Sequence, residues 1–167
     1  GLGPTAFMHR ASGMDNPEAP ISHHWLDSTH ITFGVLTAGF VHDDWKFEVS
    51  RFTGREPDQY RFNFDSARFD STSARLSWNP DEHWSLQASW GFLKSPEQLE
   101  PNENETRYSA SATYITPVEN LGTVAATLAW GLKRTGHGDK LNAVLAEAEW
   151  KPDRKSVVKG KSVDLGC

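Results

Sequence analysis

Residues 83–92 read His83-Trp84-Ser85-Leu86-Gln87-Ala88-Ser89-Trp90-Gly91-Phe92, with an apolar side chain at every second position and a small or polar one between. That is the period of a β-strand, in which successive side chains leave on opposite faces. One face would carry Trp84, Leu86, Ala88, Trp90 and Phe92, and the other Ser85, Gln87 and Ser89. Deciding what the tryptophan face looks at decides the fold.

The same period runs through most of the chain. Segments 30–42, 45–54, 69–79, 84–94, 106–117, 122–134 and 140–151 alternate in this way between Gly, Pro, Asn and Asp breaks, which predicts seven antiparallel strands. Parity gives each strand an apolar face. Trp45, Phe47 and Val49 share it with Thr72, Ala74, Leu76 and Trp78, and it continues through Tyr108, Ala110, Ala112 and Tyr114. Val124, Ala126, Leu128, Trp130 and Leu132 extend it, followed by Val144, Ala146, Ala148 and Trp150. The opposite parity is small or charged and predicts a wet face: Lys46, Glu48, Ser50, Ser73, Arg75, Ser77, Arg107, Ser109, Ser111, Thr127, Glu147 and Glu149, together with the serines and Gln87 of the opening stretch.

Connections separate the architectures that could use such strands. They alternate short (42–45), long (55–68), short (80–83), long (95–105) and short (118–121), then a glycine-rich 135–139. A soluble sandwich has no reason to keep tight turns at one end and long loops at the other, whereas an outer-membrane barrel does. Trp45, Trp78, Trp84, Trp130 and Trp150 are read as strand-end aromatics, in the manner of an interfacial girdle. The expected fold is therefore all-β, an antiparallel up-and-down meander forming part of a transmembrane outer-membrane β-barrel, with the tryptophan face toward lipid. The alternative is a soluble sandwich or lipocalin-like ligand-binding barrel whose core is that same face.

Composition narrows the partners. Seven Trp and nine Phe with 37% hydrophobic residues argue against a disordered chain, and a net charge of −5 argues against a nucleic-acid binder. The opening GLGPTAFMHR lacks a basic stretch followed by an apolar one, so no signal peptide is read there. The sole cysteine, Cys167, is the last residue and excludes an internal disulfide or a cysteine metal set.

The segments GPTAFMHRASGMDNPEAPISHHWLDSTHITFG, FTGREPDQYRF, LSWNPDEHWSLQASW, SPEQLEP and ATLAWG with HGD resemble a family of largely uncharacterised proteobacterial outer-membrane β-barrel, porin-like proteins, over about residues 1–152. The resemblance implies a location in the bacterial outer membrane. It also implies that this chain is the middle portion of a longer protein, without its signal peptide, first strands and last strands. Members of the family are associated with metal, particularly copper, resistance. No catalytic residue is established for them, so none is carried over. Seven strands are odd in number and about one short of the smallest bacterial barrel, so two open edges are expected.

Three regions follow: an outward loop or lumen segment (1–29), the barrel fragment (30–152) and a tail (153–167). The first holds Met8, His9, Met14, Asp15, His23, His24, Asp27 and His30, where imidazole and thioether groups suit copper or another divalent metal. His9, His23, His24 and His30 are the candidate ligands, although adjacent histidines on an extended chain point apart and need a turn to share one ion. The bland reading is a loop whose histidines hydrogen-bond locally. Lys46, Glu48, Arg75, Gln87, Arg107, Glu147 and Glu149 are candidate lumen-lining residues that could set charge selectivity or simply pair across strands.

The function expected is a channel or binding protein for a small solute or metal ion, with membrane lipid as its surroundings and no required cofactor. An outer-membrane hydrolase is the rival, but Ser and His occur without a G-x-S-x-G elbow. Gly160-Lys161-Ser162 imitates the end of a phosphate-binding loop, yet Lys155 stands where its first glycine belongs. The tail DRKSVVKGKSVDLGC breaks the alternation and resembles the conceptual translation of a sequencing-adapter oligonucleotide, so it is expected to be non-native or disordered, with Cys167 functionless.

Overall fold

The computed structural model of the chain describes residues 1–16, 18–27, 33–55, 66–97, 99–119 and 121–152. The tail and His30 lie outside this set. Seven strands form a single sheet: β1 (Phe33–His42), β2 (Trp45–Thr53), β3 (Ser71–Trp78), β4 (Trp84–Leu93), β5 (Glu105–Val118), β6 (Gly122–Thr135) and β7 (Lys140–Lys151). Their spatial order is their sequence order, every neighbouring pair is antiparallel, and β1 and β7 are open edges. The meander read from alternation is thus present, with strand ends within a few residues of those expected. The sheet is not closed into a barrel.

Turn chemistry explains the tight ends. Asp43, at the first central position of the β1–β2 hairpin, has φ 47°, and such positive φ values are what primed hairpin turns require. At the β3–β4 turn the Asp81 carboxylate accepts the backbone N–H groups of His83 (2.8 Å) and Trp84 (3.0 Å), a local bond that fixes the chain reversal. Gly122, with φ 105°, opens β6 after the third short turn. Neighbouring hairpins are tied along this rim, since Asn79 N–H donates to Asp44 O and Ile115 N–H to His83 O, both at 2.9 Å.

Register carries parity across all the strands. One row runs Phe40–Phe47–Leu76–Ala88–Ala110–Trp130–Val144, and the neighbouring row of opposite parity runs Gly39–Glu48–Arg75–Ser89–Ser109–Gly131–Ala143. The two rows define the two faces. Trp45, Phe47, Leu76, Trp78, Trp84, Trp90, Leu128, Trp130, Val144 and Trp150 are all exposed. Ser50, Ser73, Ser89, Arg107, Ser109, Thr127 and Glu147 are all buried.

Burial is therefore inverted relative to polarity, and the N-terminal segment is the reason. Residues 1–16 and 18–27, built as two 3-10 turns (Phe7–His9, Ala11–Gly13) and one short helix, α1 (His23–Leu26), lie on the polar face. Phe7 and Leu26 pack with Ala129 and Leu145, with Trp25 against them, and Leu2 packs on Phe52 and Leu93. The face expected to be wet is covered over much of its area.

Four tryptophans gather beside the short turns on the opposite face. Trp45 opens β2, Trp78 closes β3, Trp84 opens β4 and Trp150 lies one residue from the end of β7. Trp45 and Trp78 face each other in register and stack at 5.2 Å, and Trp84 lies 4.7 Å from Tyr114. Trp130 does not belong to this group. It falls in the middle of the 14-residue β6, where its indole N–H donates to Asn142 Oδ1.

Candidate functional site

The buried polar face is the most elaborate polar structure among the described residues, and it begins with charges that parity forces onto one side. Glu48 and Arg75 are direct cross-strand partners, and the guanidinium donates to Glu48 Oε2 at 2.9 Å and 2.5 Å. Lys46 reaches the same carboxylate at 3.0 Å. On β5, Arg107 donates twice to Glu105 Oε2, at 3.0 Å and 2.8 Å, and Lys133 of β6 closes on the other oxygen of Glu105. Each buried charge has a partner, as a low-dielectric setting requires.

The N-terminal segment completes these pairs. Arg10, buried beneath its own segment, forms a two-toothed ion pair with Glu147, in which Nη2 donates to Oε2 at 2.8 Å. Its Nη1 also donates to the Phe7 carbonyl at 3.0 Å. Ser12 donates to Glu147 Oε1 at 2.7 Å and sits 2.6 Å from the Thr127 hydroxyl. Arg75 donates to Gly3 O (3.1 Å), Arg107 to His24 O (3.0 Å), and Gly3 N–H to Ser89 Oγ (2.8 Å). Lys151 bridges Asp15 at 3.0 Å and Glu149 at 3.6 Å.

Two strand glycines make room for this cover. A Cβ at Gly131 would stand 2.8 Å from Trp25 Cβ, and one at Gly91 would stand 2.9 Å from a methyl of Leu2. Gly in a strand interior commonly marks the close approach of another piece of backbone, and here it does so twice.

All seven candidate lining residues, Lys46, Glu48, Arg75, Gln87, Arg107, Glu147 and Glu149, fall on this one face. The sequence reading missed Arg10, Glu105 and Lys133. Lys133 and Glu105 share the strand parity and could have been named from it, but nothing local marks Arg10 as the partner of a residue 137 positions away.

The metal candidates are placed differently. His23 and His24 sit on α1, so the backbone does turn there, and their rings lie 3.9 Å apart. His23 Nδ1–H donates to the Pro20 carbonyl at 2.8 Å. His9 is exposed at the end of the first 3-10 turn, and among the described residues no three His, Cys, Asp or Glu side chains converge as a metal set. His30 lies outside the described residues.

At the long-loop rim, Glu103 accepts from His137 Nδ1 at 2.8 Å. Bonds from Glu100 and then His137 depress the Glu103 carboxyl to about 2, and Glu103 in turn raises the His137 imidazole above its ordinary value. In this cluster His137 is exposed while the Glu103 side chain is largely covered, and it belongs to neither face.

The apolar face bears a groove of about 610 Å³, floored by Ala88 and Ala110 and walled by Trp45, Trp78, Leu128 and Trp130. No helix among the described residues is long and apolar enough to cross a membrane. No family model, no curated protein and no solved structure matches the chain.

Proposed function

We propose that the chain is a section of an outer-membrane β-barrel that serves as a channel or as a binding protein of that compartment. The observation that carries the reading is the inversion of the sheet, with the serine, arginine and glutamate face covered and the tryptophan and leucine face open. In water this arrangement is costly. The four girdle tryptophans are 38–44% exposed. Taking ~250 Å² for a whole Trp, they alone show roughly 400 Å² of aromatic surface, within the ~300–600 Å² of the largest patch on a typical monomer. The remaining apolar residues of that face come on top of this.

A bilayer removes the cost. Strand lengths of 8 to 14 residues bracket the ~9–11 that a tilted strand needs to cross one. The aromatic row beside the short turns matches an interfacial girdle. The free edges of β1 and β7 are where further strands would pair to close the barrel, because an unpaired edge cannot stand in lipid. A soluble ligand-binding barrel would instead need a second layer over Trp84, Leu86 and Trp90, and among the described residues no such layer is present.

The test is reconstitution of the protein from its complete reading frame in planar bilayers, beside a hydrolase screen on the same preparation. Discrete conductance steps without ester turnover are expected. Turnover without conductance would replace this reading with the enzymatic one.

Metal handling is a second reading, favoured by the close His23 and His24 rings. Copper and zinc titrations should show binding that is lost when His9, His23, His24 and His30 are all replaced. Unchanged affinity in that variant would remove the site.

A further inference from the structure

The cover on the polar face is partial, and its limits are informative. Glu48, Ser50, Ser73, Ser89, Arg107 and Ser109 are buried under it, all from the long-loop and central parts of β2 to β5. Toward the short turns of those strands, Lys46 and Ser85 are exposed, and Ser77, Gln87, Ser111 and Thr113 are half-buried. The N-terminal segment thus covers the long-loop half of β2 to β5 and crosses to the short-turn end over β6 and β7, where Ser12 meets Thr127 and Asp15 meets Lys151, leaving a serine- and threonine-lined vestibule at the short turns of β3 to β5.

The attachment is made chiefly of polar bonds. Arg10 to Glu147, Ser12 to Thr127, Arg75 to Gly3 O, Arg107 to His24 O and Gly3 N–H to Ser89 are the ties. Apolar anchoring is limited to Phe7, Leu26 and Trp25 in one cluster and Leu2 in the other. The neutral hydrogen bonds among these ties can be exchanged for water with a small net change in free energy when the segment lifts, while the Arg10–Glu147 ion pair, buried on both sides, is the costly one to break. Segments held in this way open locally without unfolding the sheet beneath them.

We propose that residues 1–16 and 18–27 are a resident, displaceable plug that runs obliquely across a polar passage along this face, from the long-loop half of β2 to β5 to the short-turn half of β6 and β7, with the Arg10–Glu147 pair as its main latch. The inference rests on the membrane reading above and adds a closed state to it. Released from its latch, the segment would expose a continuous polar lining from Ser73 to Ser85.

The experiment locks and unlocks the plug in the protein from its complete reading frame. With any other cysteine replaced by serine, Ser12→Cys and Thr127→Cys place two thiols where hydroxyls now lie 2.6 Å apart, close to the ~2.05 Å of an S–S bond. Conductance is recorded in planar bilayers under oxidant and then under reductant, beside Arg10→Ala as an independent unlocking variant. Oxidation should lower conductance about tenfold, reduction should restore it, and Arg10→Ala should exceed the parent, as expected for a local opening equilibrium. Failure of the pair to cross-link would show that the segment does not sit here. Conductance that ignores both the cross-link and Arg10→Ala would overturn the plug while leaving the channel. Silence in every state, with the tryptophans in contact with lipid, would also overturn it, because reduction and Arg10→Ala should open the passage. If the tryptophans do not contact lipid either, the membrane reading fails and the plug falls with it.

Discussion

On one face of the sheet Ser73 and Ser109 are almost wholly buried, while on the other Trp84 and Leu128 stand open, although all four belong to strands of the same meander. The difference lies in what each face is given to touch. The polar face is given a segment of its own chain, which meets it through ion pairs and hydrogen bonds and through two small apolar clusters. The apolar face is given nothing among the described residues, and its side chains are large, apolar and arranged in rows. A chain that folds for water does the reverse, and the bilayer setting proposed above accounts for the contrast.

The largest effect should come from breaking the latch on the buried side. Glu147→Ala would leave the Arg10 guanidinium buried and unpaired, with an expected loss of about 3–5 kcal/mol in denaturant unfolding of the detergent-folded protein. Replacing both residues by apolar ones of similar size should recover most of that loss. A single-variant loss near zero would mean that the pair is hydrated and the cover loose.

The next effect sharpens the contrast between faces at adjacent positions. Ala88→Arg places a charge in the middle of the apolar face and should cost about 2–4 kcal/mol in a bilayer-folded protein, where Gln87→Arg, one residue away and facing the other side, should cost well under half of that. Folding equilibria of the two variants in vesicles check this. Equal costs would remove the distinction.

The smallest effect concerns a region outside both faces. Glu103 is depressed to about 2 by Glu100 and His137, so its contribution is present above the ordinary glutamate value of 4.5 and fades as pH falls toward 2. The raised His137 contributes fully below its ordinary 6.5 and loses that contribution as pH rises through its higher folded value. The bridge between the 94–104 and 136–139 connections should therefore be strongest between about 4.5 and 6.5. An NMR titration placing His137 at or below 6.5 would contradict it, as would a Glu103→Gln variant that leaves the titration unmoved.

Much of this was legible in the sequence because the side-chain period of a strand is two and the turns carry Asp and Gly at diagnostic places. HWSLQASWGF alone assigns β4 and both of its faces, and the structure moves its ends by at most one residue from the expected 84–94. Trp130 was misplaced because its strand is long enough to carry an aromatic in the middle as well as near the end. The covering of the polar face was harder to foresee. Arg10 and Glu147 are separated by nearly the whole chain, and an arginine within AFMHRASG carries no local sign of its partner. Gly91 and Gly131 were the available signal, since a strand glycine flanked by bulky residues asks what approaches it.

The central claim is that the exposed face meets lipid and the covered face does not, and the seven tryptophans report on it directly. Trp45, Trp78, Trp84, Trp90, Trp130 and Trp150 are on the open face, whereas Trp25 lies in the covering segment. The measurement is tryptophan emission in vesicles whose acyl chains carry bromine, which quenches on contact, compared between the parent and Trp25→Phe. The account predicts strong quenching with a small resistant component that disappears in Trp25→Phe. Emission that is indifferent to bromination, or a resistant component that survives in Trp25→Phe, would contradict it.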